Sequence, residues 1–263
     1  MKYIHGFKLH FMSKLIALFM FIYSSMLWAQ EYDATLMWSQ KTGLGTVVSG
    51  IVEDVYVDAG DKIAKGKKML QLDTSVSEAR VTEFRAKLAS AKEYLNEMER
   101  ERDRALELYD RTVLSEHDLQ MAKNNYINAK AKYEKVRAGL ADQEYHLKYS
   151  VVRAPFNAIV LKRNAQPGQV IATQFKQDPL VVVASSDKML ARLLVTEDEL
   201  RRMEKGKTAN ISIGDKTFTG KIQAVGLELF TTKKGKTGYP VDVEFKVGNE
   251  ALRSGLTAKV NIE

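Results

Sequence analysis

Two stretches decide the fold: Ser49-Gly50-Ile51-Val52 running through Ala59-Gly60-Asp61-Lys62-Ile63-Ala64 to Leu72, and Asn157-Ala158-Ile159-Val160 running through Pro167-Gly168-Gln169-Val170-Ile171-Ala172 to Leu180. They match at a constant offset of 108 residues: Ile51-Val52 with Ile159-Val160, Gly60 with Gly168, Ile63-Ala64 with Ile171-Ala172, Leu72 with Leu180. Each copy reads as an apolar strand, a glycine turn and a second apolar pair. Glycine at that place suits a turn that needs positive φ. Six matched positions in one register point to a structural repeat rather than to two unrelated hairpins sharing a common turn.

Between the copies, residues 75–148 have a different texture. Apolar or small residues recur at Phe84, Leu88, Ala91, Leu95, Met98, Ala105 and Tyr109, with Arg102 in the one polar slot. A second series runs Leu119, Ala122, Tyr126, Ala129, Tyr133, Val136, Leu140 and Leu147, with Gln143 in its polar slot. Spacings that alternate four and three form a heptad seam. No proline falls between Asp73 and Pro155, so nothing forbids two long helices. The break lies at Asp110–Ser115, where Ser115 followed by Asp118 reads as an N-cap with an acid at the third helical position. The expected object is an antiparallel coiled-coil hairpin with arms of about 33 residues, reaching ~50 Å. A hairpin of that length must project from a domain of this size.

The remainder alternates with period two at Ala209-Ile211-Ile213, Phe218-Gly220-Ile222-Ala224, Val241-Val243-Phe245-Val247 and Leu256-Ala258-Val260-Ile262. A short helix is expected at Glu197–Glu204, after Thr196. Several short alternating strands indicate a small barrel or sandwich. The fold class is therefore α+β: a split β-domain, an inserted helical hairpin and a small β-barrel domain.

The N-terminus is a targeting segment. Lys8 and Lys14 precede the apolar run Leu15–Tyr23, and small and polar residues follow up to Ala29. That order is the signature of an export signal with Ala29 as the last residue before cleavage; an uncleaved anchor is the competing reading. The run is short against the ~20 residues of a membrane span. The formal net charge is +7, but the first 29 residues carry Lys2, Lys8 and Lys14 and no acid. The rest holds 37 bases against 33 acids, so nucleic acid is not indicated as a partner.

Chemistry is thinly provided. The 263 residues contain no cysteine and only four histidines, two of them His5 and His10. Disulfides, thiolate metal sites, cysteine nucleophiles and an acylated N-terminal cysteine are excluded together. Ser115, His117 and Asp118 have the residue types of a hydrolytic triad but crowd one helix start and point in different directions. No phosphate-cradling glycine loop is present. Met98 sits in the heptad seam, so the methionines read as core filling rather than soft-metal ligands. The expectation is no enzyme, no cofactor and no metal.

The layout resembles the periplasmic adaptor, or membrane fusion, protein family (HlyD-like) of bacterial tripartite efflux and secretion systems. Ser49–Asp73 looks like one half of a biotinyl/lipoyl-like domain and Arg153–Ile171 like the other. In that family the halves flank a hairpin and pair in space. The resemblance implies domains at 1–29 (signal peptide), 30–74 (N-terminal strand and first lipoyl-like half), 75–148 (hairpin, tip about 110–115), 149–186 (second half) and 187–263 (barrel). It covers about residues 42–263. Lipoylation is not implied, because the turn that would carry the modified lysine is replaced by the hairpin.

The tip is similar to that of adaptors that dock an outer-membrane channel: an Arg, a Leu four residues on, and a Ser seven further, met here by Arg104, Leu108 and Ser115. Arg111 joins them as an implied partner-binding residue at the turn. Two departures stand out. Asp118 is near the place of an acid that often continues the motif, whereas Gln120 and Asn125 fill neighbouring positions, which leaves the channel's identity open. Asn157-Ala158 stands where the second half commonly has Asp-Gly. The family implies an inner-membrane transporter, of resistance-nodulation-division (RND) or ATP-driven (ABC) type, an outer-membrane channel, and a homo-oligomeric ring, commonly of six. The expected place is the periplasm, associated with the inner membrane. No room is left for a membrane-proximal fourth domain. Two other readings stay open: an exported carrier or binding module, and a structural coiled-coil envelope protein without a transporter.

Overall fold

The structure is a computed structural model that describes residues 30–174, 178–232, 235–248 and 250–262. The targeting segment expected at 1–29 lies outside the described residues. Two compact units partition the chain: Gln40–Ser186, and the described residues before Gln40 together with those from Asp187 onward.

In the first unit, the repeat is realised strand for strand. The first copy forms β3 (Gly50–Val55), β4 (Lys62–Ile63) and β5 (Lys68–Leu72); the second forms β7 (Ala158–Arg163), β8 (Val170–Ile171) and β9 (Val181–Ser185). β2 (Lys41–Leu44) and β6 (Val151–Arg153) complete two four-stranded sheets, ordered β2-β9-β7-β4 and β6-β5-β3-β8.

The copies interlock. β3 pairs with β8 of the other copy, and β7 pairs with β4. Gly60 donates to the carbonyl of Val160 at 2.8 Å, and its counterpart Gly168 donates to the carbonyl of Val52 at 2.8 Å. Both glycines sit at positive φ, 102° and 83°, where a Cβ would be strained. Inward residues of both copies fill one core: Val52, Leu70, Leu72, Val160, Val181 and Val183 are at most 1% exposed. Neither half has a core of its own. The Asn157-Ala158 departure is accommodated, because the Asn157 side chain accepts the N–H of Lys65 at 3.0 Å and so ties the two turns together.

The hairpin leaves this unit between β5 and β6. Helix α1 spans Ser75–Asp110 and α2 spans Glu116–Tyr149, 36 and 34 residues, or about 50 Å at 1.5 Å per residue. At the base, the N–H of Leu72 donates to the carbonyl of Ser150 at 2.8 Å, so the chain leaves and returns at adjacent points. Asp73 accepts the N–H of Ser75 at 2.9 Å and caps the first helix.

The seam read from the heptads is the one that packs. Ala91, Ala105, Leu119 and Ala129 are buried, and Phe84, Leu88, Leu95, Met98, Tyr126, Tyr133 and Leu140 are half-buried. Arg102 enters its polar slot by laying its guanidinium over the Tyr126 ring, 4.1 Å from the centroid, with Asp103 at 2.6 Å. Opposite Phe84 stands Gly139, whose missing Cβ would fall 2.4 Å from the ring. The helices close there because glycine lets the ring touch backbone. Arg85 and Glu144 add an ion pair between the helices at 2.9 Å.

The second unit is a six-stranded barrel. Its strands are β1 (Glu31–Trp38), β10 (Lys188–Val195), β11 (Thr208–Ile213), β12 (Lys216–Val225), β14 (Thr237–Lys246) and β15 (Thr257–Ile262); the short β13 (Phe230–Thr231) hairpins onto β14. The order β10-β1-β15-β11-β12-β14 closes through a β10–β14 pairing. Alternation puts Leu36, Met189, Leu193, Ile211, Ile222, Val241, Val243 and Val260 inside, each at most 1% exposed. Arg192 on β10 and Asp242 on β14 lock the closing pair with two bonds of 2.6 and 2.7 Å.

Two local expectations need revision. β1 pairs with β10 and β15, so it is a stave of the barrel, although it adjoins the lipoyl-like half in sequence. The helix expected over Glu197–Glu204 stops at Leu200 (α3, Glu197–Leu200). Beyond it, the N–H groups of Arg202 and Met203 turn to the carbonyls three residues back. That tighter turn buries Met203 at 6% exposure in the barrel core.

Candidate functional site: the hairpin tip

The tip is built by how α1 stops. The N–H of Thr112 donates to the carbonyl of Tyr109 at 2.8 Å, and that of Val113 donates to the carbonyl of Leu108 at 3.0 Å. This pair of bonds is a Schellman termination, which needs a left-handed residue after the cap and prefers glycine there. Here it is Thr112, at φ 58°, the only non-glycine with positive φ among the described residues. The turn throws Val113 outward, 73% exposed. Ser115 then opens α2: its hydroxyl accepts the N–H of Asp118 at 3.1 Å and donates to that residue's carboxylate at 2.7 Å.

The four expected residues fall into three environments. Arg104 is exposed and Leu108 half-buried one turn on, on one face of α1 at the i, i+4 spacing. Arg111 is exposed and held by Glu107 at 2.5 Å. Ser115 is exposed, but both capacities of its hydroxyl are engaged in the cap. Its hydroxyl thereby closes the turn that opens α2. Arg104 and Arg111 keep guanidinium groups at the surface, and Val113 and Tyr109 add exposed apolar surface. Val113 and Thr112 escaped the sequence reading. Only the left-handed φ at Thr112 reveals them, and a β-branched residue gives no such signal in a pattern.

No cluster of three or more histidines, cysteines or carboxylates that could hold a metal is found among the described residues. No helix among them is long and apolar enough to cross a membrane. The tip presents two guanidinium groups and an exposed valine on a hydrogen-bonded turn at the end of the hairpin.

Comparison with known proteins agrees with this architecture. The model of the CzcB-like barrel-sandwich hybrid domain matches residues 44–184, which span both repeat copies and the hairpin between them. The macrolide export protein MacA of Yersinia pestis is 26% identical over 243 residues, covering 85% of this chain and 65% of MacA. The pyoverdine export membrane fusion protein PvdR of Pseudomonas aeruginosa is 25% identical over 209 residues, 73% of this chain and 53% of PvdR. The chain thus spans about half to two thirds of the length of these relatives. Among solved structures, the membrane fusion protein Spr0693 from Streptococcus pneumoniae R6 aligns with a TM-score of 0.66 at 15% identity, over 89% of this chain and 98% of that one. With more than half its length matched by the domain model and the inserted hairpin in its place, the chain belongs to the membrane fusion (adaptor) protein family that carries the CzcB-like barrel-sandwich hybrid domain.

Proposed function

We propose that this chain is a periplasmic adaptor subunit of a tripartite efflux or secretion system, bridging an inner-membrane transporter to an outer-membrane channel. One observation carries the reading: a hairpin about 50 Å long, rooted in an interlocked β-domain and ending in a capped turn with exposed Arg104, Arg111 and Val113. Such a lever has no use inside its own domain. The kinship with MacA and PvdR, both export proteins by name, supports the same role. The work is mechanical: the tip engages the channel, the barrel meets the transporter, and copies assemble as a ring around a conduit. The two-helix seam leaves most of its side chains half-buried, which suits a hairpin flanked by neighbours. Both RND and ABC transporters fit this description.

The test is co-purification from cells. A tagged full chain is expected to bring down a transporter and an outer-membrane channel. Replacing Ser75–Tyr149 by a short turn, which the Leu72–Ser150 bond permits, is expected to lose the channel and keep the transporter. Recovery of neither partner with the full chain contradicts the reading, as does tight binding of a small molecule by the isolated monomer.

A further inference from the structure

The two helices of the hairpin carry opposite charge at the same height. Over residues 93–110 of α1, seven acids stand against three arginines, a net of −4. Over residues 123–137 of α2, five bases stand against Glu134 alone, a net of +4. Two contacts across the seam set these stretches level: Lys132 lies over the Tyr94 ring at 5.4 Å and Arg102 over the Tyr126 ring at 4.1 Å.

The stretches do not neutralise each other. Arg100 pairs with Glu97, Arg102 with Glu99 and Asp103, Arg111 with Glu107, and Arg137 with Glu134, each within its own helix. Among the described residues, the one ion pair between the helices is Arg85–Glu144, nearer the root. Lys123, Lys130 and Lys135 have no ion pair among the described residues.

The heptads decide where the unspent charge points. Glu93, Arg100 and Glu107 fall midway between seam residues of α1, so they form its outermost row. Glu97 and Asp103 border that row, and Arg100 is tied back to Glu97. The corresponding row of α2 is Asn124, Ala131 and Ala138, uncharged and exposed. By the same heptads, Lys123 and Lys130 run along one flank of it and Lys132 and Lys135 along the other. Ile127, 58% exposed, stands between them. An acidic ridge on one edge of the hairpin thus matches a lysine-flanked strip on the opposite edge, at equal height.

We propose that hairpins of neighbouring copies dock head to tail, the acidic outer edge of α1 in one chain against the lysine-flanked outer edge of α2 in the next. The contact rests on the reading that copies assemble side by side; it adds which faces meet and what force holds them. Opposite patches attract, whereas α1 against α1, or α2 against α2, sets like charges together. Two different faces make the contact heterologous, so it repeats from copy to copy and closes where each step turns by a fixed angle. Because these charges are exposed, salt screens the contact.

A chain without cysteine gives the test a silent background. Two full chains, one with Arg100→Cys and one with Asn124→Cys, are produced together in cells under separate tags, and the intact cells are oxidised. The expected result is a disulfide between the two chains when both are present, and no disulfide dimer from either alone. Lys130→Glu and Lys135→Glu, both at exposed positions, are added to the second chain and are expected to lower the yield at least about tenfold. Glu93→Lys and Glu97→Lys in the first chain are expected to restore it. Absence of the mixed disulfide overturns the proposal, as do dimers of either chain alone, or a yield that ignores the reversed charges. Co-purification of transporter and channel is read on the same cells. Partners recovered without the mixed disulfide leave the adaptor reading standing and remove this contact; the disulfide without partners does the reverse.

Discussion

At the tip, the conformation of one residue sets the geometry of the turn. Thr112 occupies a left-handed position that a β-branched side chain tolerates poorly. Its hydroxyl compensates in part by donating to the Arg111 carbonyl at 2.6 Å. Thr112→Gly is expected to stabilise the hairpin by about 0.5–1 kcal/mol, the strain relieved less the extra chain entropy of glycine. Urea unfolding measures it; a loss of stability would show that the hydroxyl bond outweighs the strain. Asp73 at the other end of α1 is sensitive to pH. The hydroxyl and N–H of Ser75 hold its carboxyl below the ordinary aspartate range. A depressed carboxyl stabilises the fold above its unfolded pKa, and that gain fades as the pH falls through the folded value. Asp73→Asn is expected to flatten the acid side of the helicity profile, read by circular dichroism; an unchanged profile contradicts the capping role.

Among the elements, the hairpin seam depends on one close approach. Gly139 lies in α2 under the Phe84 ring, where an added methyl falls 2.4 Å from a ring carbon. Alanine in a helix interior ordinarily gains about 1 kcal/mol over glycine. Gly139→Ala is therefore expected to destabilise the chain that has Phe84 and to stabilise the Phe84→Ala variant, a change of sign that a double-mutant cycle reads directly. The same sign in both backgrounds would remove the contact from the account. The repeat, the seam and the barrel were all legible because each rests on a local period: glycine turns at Gly60 and Gly168, heptads from Phe84 to Leu147, alternation from Ala209 to Ile262. What was not legible depends on distant partners. β1 alternates Ala34 and Leu36 like any half-buried strand, and its place in the barrel is fixed by β10 and β15, more than 150 residues away. The end of α3 at Leu200 follows from the burial of Met203, which no capping rule announces. At the tip, Arg104, Leu108, Arg111 and Ser115 were found by resemblance, whereas Thr112 and Val113 needed backbone angles.

For the whole molecule, two units are joined by the links at Ser39–Gln40 and Ser186–Asp187, and each presents its own exposed feature: a tip with Arg104, Arg111 and Val113 on the hairpin, and Leu227 and Leu229 on the barrel rim. The central claim is that the tip recognises an outer-membrane protein, and a chain without cysteine allows a single one to report on it. Cysteine placed at Arg111, with a short crosslinker applied to intact cells, is expected to capture an outer-membrane channel. Capture is expected to vanish when Leu108→Asp and Arg104→Glu are introduced together. Cells in which Arg111→Cys yields no outer-membrane adduct, while the chain is folded and exported, would contradict the account.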